Sequence, residues 1–178
     1  MVVTERRDPE VLVLDAKEPV VVAAGPYGHP FHPILVTIPI GAWVASLVFD
    51  IASTVNSRGS RSLVDAAYWL IGLGILGALA AAIFGFMDLL TIPTKTKAFK
   101  AGLTHMSLNL SVVALFAIDF FWRRGSYYER IKPETGQLVL SAVAIGVLLV
   151  SGWIGGMLAY KYGVRVADQK TQAEGFRS

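Results

Sequence analysis

The chain contains three histidines, and two of them, His29 and His32, stand in a doubled His-Pro motif, HPFHP, at residues 29–33. Proline after each histidine biases the preceding backbone towards extended or polyproline geometry, in which three residues make a turn; positions three apart also share a helical face. The spacing therefore predicts two imidazoles aimed the same way. Histidine is the common ligand of haem iron and of many metal ions, and a ligating imidazole needs an outer partner to fix its ring. His105 is the third imidazole, and Asn109 lies one helical turn beyond it.

The chemistry these residues suggest is a cofactor site: His29, His32 and His105 as haem or metal ligands, with Asn109 and Asp88 as supporting partners. Haem b is the leading cofactor, a bare metal ion follows it, and a polar pocket for a quinone uses the same residues. The other reading is an interfacial hydrogen-bond network with no ligand. Met87, Met106 and Met157 would suit copper(I) together with imidazole, but Met106 lies about 100° around a helix from His105 and methionine is an ordinary packing residue. Asp50 and Asp119 could handle protons, but both lie near a helix end where a carboxylate can reach water, and interfacial solvation or pairing with Arg123 explains them more simply. There is no glycine-rich phosphate loop, nucleophile elbow or paired acid–base constellation, so the chain is not expected to be an enzyme by itself.

These residues must be positioned by apolar helices. Over 178 residues the composition is 54% hydrophobic and only 16% charged, with a mean hydropathy of +0.55, which is wrong for a soluble domain. The charges gather in the leader, the connectors and the tail. They leave four stretches near the roughly 20 residues a bilayer-spanning helix needs. The expected fold is all-α, a four-transmembrane-helix up-down-up-down bundle with helices at about 34–55, 63–90, 101–122 and 138–161. A polar leader (1–28) outside the bilayer precedes this membrane domain (29–164), and a flexible tail (165–178) follows it. Ser62 and Asp65 are spaced as a helix N-cap and its reciprocal partner. Gly77, Ala81 and Gly85 on the second helix, and Gly152 with Gly156 on the fourth, form two close-packing faces.

Such a topology puts His29, His32, Asp88, His105, Asn109, Tyr160 and Tyr162 on one membrane side, and Asp50, Asp119 and Tyr68 on the other. The net charge of +3 forms no continuous basic stripe, which argues against nucleic acid and for lipid headgroups. Lys17, Lys95, Lys97, Lys100, Lys161, Arg165 and Lys170 face the histidine side, against Arg58, Arg61, Arg123, Arg124, Arg130 and Lys132 opposite. With so even a split, cytoplasmic termini are expected mainly because the leader lacks an export signal. The chain has no cysteine, which removes disulfides, cysteine-based zinc sites and the usual iron–sulfur ligands.

The order of motifs is itself informative: GHPFHPILV (residues 28–36), IPIG (38–41), SLVFD (46–50), AYWL (67–70), GFMD (85–88), His105 with Asn109, SGWIGG (151–156), Tyr160, and Gly163 with Val164. Over residues 25–166 this pattern resembles a large family of uncharacterised bacterial four-helix integral membrane proteins with a double His-Pro motif. Related membrane domains are joined to Rieske iron–sulfur or cytochrome c domains. The resemblance thus implies electron transfer at the bacterial inner membrane, with a separate redox partner subunit of Rieske or cytochrome c type; a homo-oligomer is a further candidate assembly. Some relatives carry a histidine after the paired glycines of the fourth helix, where this chain has Met157. The expected role is a membrane subunit or anchor in a redox assembly; the alternative class is a structural or small-solute membrane protein with no cofactor.

Overall fold

The computed structural model describes residues 8–55, 60–125 and 131–177; Arg58 and Arg130 lie outside them. All regular structure among these residues is helical. A short helix α1 (Pro9–Asp15) precedes the one-turn α2 (His32–Leu35), and four long helices follow: α3 (Thr37–Val55), α4 (Ser60–Leu90), α5 (Lys97–Gly125) and α6 (Thr135–Gly156). A π-helical turn, Met157–Lys161, extends α6, and α7 (Gln169–Glu174) lies near the C-terminus. Four spans, His32–Val55, Arg61–Leu90, Lys97–Gly125 and Thr135–Lys161, are each long and apolar enough to cross a membrane.

Proline punctuates the first span. Pro33 sits in the first turn of α2, where its missing N–H costs nothing, while Pro39 cannot donate back to Leu35. The chain accordingly breaks at Val36 and restarts as α3. At α4 the helix begins at Ser60, ahead of the expected Ser62 cap, and Asp65 instead pairs with Arg61 at 3.0 Å, one turn away. The reciprocal cap occurs at α6, where Glu134 and Gln137 exchange side-chain and backbone hydrogen bonds.

Burial is inverted relative to a water-soluble bundle. Ser46, Asp50, Ser53, Asp119, Ser141 and Ser151 are fully buried, whereas Trp69, Leu73, Leu76, Ile83, Phe86 and Leu90 form an exposed apolar stripe along α4. Polar groups meet one another inside and hydrocarbon faces out, the arrangement a bilayer enforces. At the centre of the bundle, the ring of Trp43 on α3 stacks on Phe116 of α5, with centroids 4.4 Å apart. Ile71, Val112 and Ala144 complete this core. Gly74 lets the indole lie directly on α4, since a Cβ there would come within 2.3 Å of Trp43 Nε1. Of the two expected glycine faces, Gly77 and Gly85 do hold close approaches, but Gly152 and Gly156 meet nothing within 4 Å. The close contact on α6 is made by Gly155.

The segments read from sequence as leader and tail meet at the histidine end. After the π turn, left-handed Gly163 (φ +70°) and Arg165 (φ +60°) turn the chain back across the bundle. Arg165 is 4% exposed. Its Nε donates to Asp88 Oδ1 at 2.8 Å, one Nη donates to the Gly25 carbonyl at 2.8 Å, and its amide N–H donates to the Ala16 carbonyl at 2.9 Å. Lys17 Nζ donates to the Val166 carbonyl, and the Tyr27 hydroxyl donates to Asp168 Oδ2 at 2.9 Å. Hydrogen bonds from the Thr171 amide and from Tyr27 hold the Asp168 carboxyl below its ordinary pKa. One arginine thus ties leader, tail and the end of α4 together. Arg165→Ala would leave Asp88 without its cation, at a cost of about 3 kcal/mol. Trypsin cleavage near Lys17 and Lys170 in the detergent-solubilised variant should then accelerate while the four spans stay protected; cleavage at the wild-type rate would refute the tie.

Candidate functional site

The histidine site forms where the first turn of the first span meets the start of α5. His32 occupies the first position of α2 and its ring reaches α4, where Nδ1 lies 2.9 Å from the Ala81 carbonyl. A carbonyl only accepts, so Nδ1 carries the proton and Nε2 presents its lone pair. His105 repeats this arrangement from α5 to α6: its Nδ1 is 2.8 Å from the Ser151 carbonyl and 3.1 Å from the Ser151 hydroxyl. Each ring also lies against a glycine one turn beyond its carbonyl. A Cβ at Gly85 would come within 2.8 Å of His32 Cε1, and one at Gly155 within 2.8 Å of His105 Cε1.

The two rings stand 6.3 Å apart, centroid to centroid, with planes 88° to each other. Asn109 is in place on the His105 face: its Nδ2 donates to the His105 carbonyl at 2.9 Å and lies 3.1 Å from His105 Nε2. His32 Nε2 has no hydrogen-bond partner among the described residues. Two imidazoles of one tautomer, each locked by a backbone acceptor and each turning a basic nitrogen away from it, form a donor pair suited to a metal centre.

The other sequence candidates lie elsewhere. His29 is exposed, with Nδ1 3.4 Å from the Tyr27 carbonyl. The two His-Pro steps diverge because the Gly25–Gly28 loop curls ahead of His29, whereas His32 has already entered a helix. That loop needs glycine: Gly25 has φ +100°, and a Cβ there would meet the His29 carbonyl at 2.3 Å. Asp88 serves Arg165 and makes no hydrogen bond to the imidazoles among the described residues. Asp50 and Asp119 belong to the opposite end, where both grip one guanidinium. Arg123 donates to Asp50 Oδ1 and Oδ2 at 2.9 and 2.7 Å, and to Asp119 at 3.1 and 3.0 Å. Ser141 donates to Asp119 Oδ2 at 2.8 Å, closing the cluster.

The sequence reading missed the two carbonyl acceptors, the glycines as ring seats, and Arg165. Gly85 was singled out only as a helix-packing residue, and the signal that would have revealed its role is the equivalent spacing of Ala81 to Gly85 and Ser151 to Gly155. Gly155→Val would push a branched side chain into the His105 ring, and Gly85→Val would do the same at His32. Each is expected to displace its imidazole from the backbone carbonyl and to lower the thermal unfolding midpoint in detergent while the α-helical circular dichroism holds. Wild-type unfolding of both variants would show that the ring seats do not matter.

A model of the family described as a predicted membrane protein, DUF2231, matches residues 28–168, and the chain belongs to that family. No curated protein and no solved structure matches it. The matched span opens at Gly28, ahead of both His-Pro steps, and closes at Asp168, beyond Arg165; it includes both histidine seats and the arginine tie.

Proposed function

We propose that this member of the DUF2231 membrane proteins is an electron-carrying membrane subunit whose redox cofactor is held by His32 and His105. The carrying observation is the pair of Nδ1-to-carbonyl hydrogen bonds, which orient both rings and leave the Nε2 of each as its basic nitrogen, open at His32 and met by the Asn109 amide at His105. A purely structural histidine pair would gain more by satisfying both nitrogens of each ring. His32 leaves its Nε2 without a hydrogen-bond partner among the described residues, at a half-buried position where a ligand can reach it. Asn109 lies where it donates to the His105 Nε2 lone pair, so binding at that nitrogen requires the amide to turn away. A quinone pocket would use the same basic nitrogens as hydrogen-bond acceptors.

The subunit would pass its electron to a separate soluble redox domain, of the Rieske or cytochrome c kind implied by the resemblance. The cell membrane of a bacterium, with both termini in the cytoplasm, is the location that goes with this reading. Tags at either terminus should resist external protease on intact cells, and cleavage there would reverse the orientation.

The test of the reading is a cofactor inventory of the protein purified in mild detergent: an oxidised-minus-reduced spectrum, elemental analysis and organic extraction. One redox-active cofactor per chain is expected. Its absence from a monodisperse preparation reconstituted with haem, metal ions and quinone in turn would refute the electron-carrier role.

A further inference from the structure

Three contacts link the first span with α5 across the centre of the bundle. His32 faces His105, Trp43 stacks on Phe116, and Asp50 pairs with Arg123, so that each pair is separated by the same 73 residues. The second helices repeat as well. Ala81 and Ser151 supply the carbonyl acceptors, Gly85 and Gly155 seat the rings, and each of these pairs is 70 residues apart. Both hairpins begin on the same side of the membrane, so the operation relating them is a twofold rotation about the membrane normal. Contacts between equivalent residues can occur only on such an axis. The axis therefore runs through the histidine pair, the aromatic stack and the Asp50–Arg123 pair. At a rise of about 1.5 Å per residue, these levels lie roughly 16 and 27 Å from the histidines.

We infer that the chain is a fused pair of equivalent two-helix units, and that the histidine site on their common axis takes one metalloporphyrin, with His32 and His105 as its two axial ligands. This deepens the electron-carrier reading and rests on it. Donor count separates a porphyrin from a bare ion. Zinc and its neighbours use at least three protein ligands, and among the described residues no group of three or more histidines and carboxylates could hold a metal ion. A porphyrin brings four nitrogens of its own, and two imidazoles complete its iron.

Spacing agrees. An imidazole bound at about 2.0–2.1 Å has its ring centre roughly 3.2 Å from the metal, so two on opposite faces are about 6.4 Å apart; the observed separation is 6.3 Å. Twofold placement also explains why both rings use the same tautomer and the same type of backbone acceptor. Asn109 breaks the symmetry, since the equivalent position in the first unit is Val36.

Pyridine haemochrome assay and electron paramagnetic resonance of the oxidised full-length protein test the inference. One haem per chain is expected, low-spin, with the strongly anisotropic signal of perpendicular axial planes. His32→Gln and His105→Gln should each convert it to high-spin, five-coordinate iron to the same extent, measured on preparations with unchanged gel-filtration profiles. A stoichiometric redox-active metal or quinone without porphyrin would overturn the haem assignment and leave the electron-carrier reading standing. A haem that responds to only one of the two substitutions would overturn the shared axial site. No redox-active species at all would remove both readings.

Discussion

Arg123→Ala is expected to be the most destabilising single change in the chain. It strands two carboxylates, Asp50 and Asp119, that are both fully buried and that depend on one guanidinium for most of their hydrogen bonds. Removing one member of a buried ion pair costs about 3–5 kcal/mol, and here two partners are orphaned together. Thermal unfolding in detergent should shift sharply downward, or the variant should fail to accumulate in membranes. Asp119→Asn keeps an acceptor for Ser141 and should cost far less. Replacing the whole cluster with apolar residues of similar volume should recover part of the loss, because buried ion pairs add little net stability over a well-packed apolar core. Wild-type thermal stability for Arg123→Ala would show that the cluster is not buried as described.

The second large effect belongs to the imidazoles. On the proposed reading, loss of either His32 or His105 removes a ligand but leaves the Trp43–Phe116 core intact. Cofactor affinity is therefore expected to fall by more than the roughly 10–100-fold typical of losing an outer partner, with helix content unchanged. Ser151→Ala removes the hydroxyl 3.1 Å from His105 Nδ1 but retains the backbone carbonyl at 2.8 Å. Its effect should stay within about 10-fold. A titration of cofactor binding by absorbance gives this order directly. Equal losses for Ser151→Ala and His105→Ala would mean that the hydroxyl, not the imidazole, governs the site.

The four spans were legible because their signal is collective: a run of apolar residues long enough for a bilayer declares itself without knowledge of neighbours. Which way a span faces is different. On α6 the buried side is marked by Gln137, Ser141 and Ser151, which share a helical face with Gly155, whereas Gly156 lies about 100° away; the glycine spacing of Gly152 and Gly156 alone points to the wrong face. His105 and Asn109 are in contact because one helical turn joins them, a spacing legible in the sequence. His29 and His32 part company because His29 still belongs to the loop shaped by the positive-φ residues Gly25 and Gly28, whereas His32 begins a helix. Arg165 was hidden for a simpler reason. In a polar stretch it looks like one more solvated cation, and its burial depends on Asp88, 77 residues away. The 73-residue repeat escaped notice because it survives in positions rather than in residue types: Trp43 corresponds to Phe116, and Asp50 to an arginine of opposite charge.

The central claim is that His32 and His105, and not the neighbouring His29, hold a redox cofactor. The most direct measurement is the cofactor content per chain of the His32→Ala/His105→Ala double variant beside His29→Ala, both purified as monodisperse detergent complexes. Wild-type content is expected in His29→Ala and none in the double variant. Retention of the cofactor by the double variant, or its loss from His29→Ala, would contradict it.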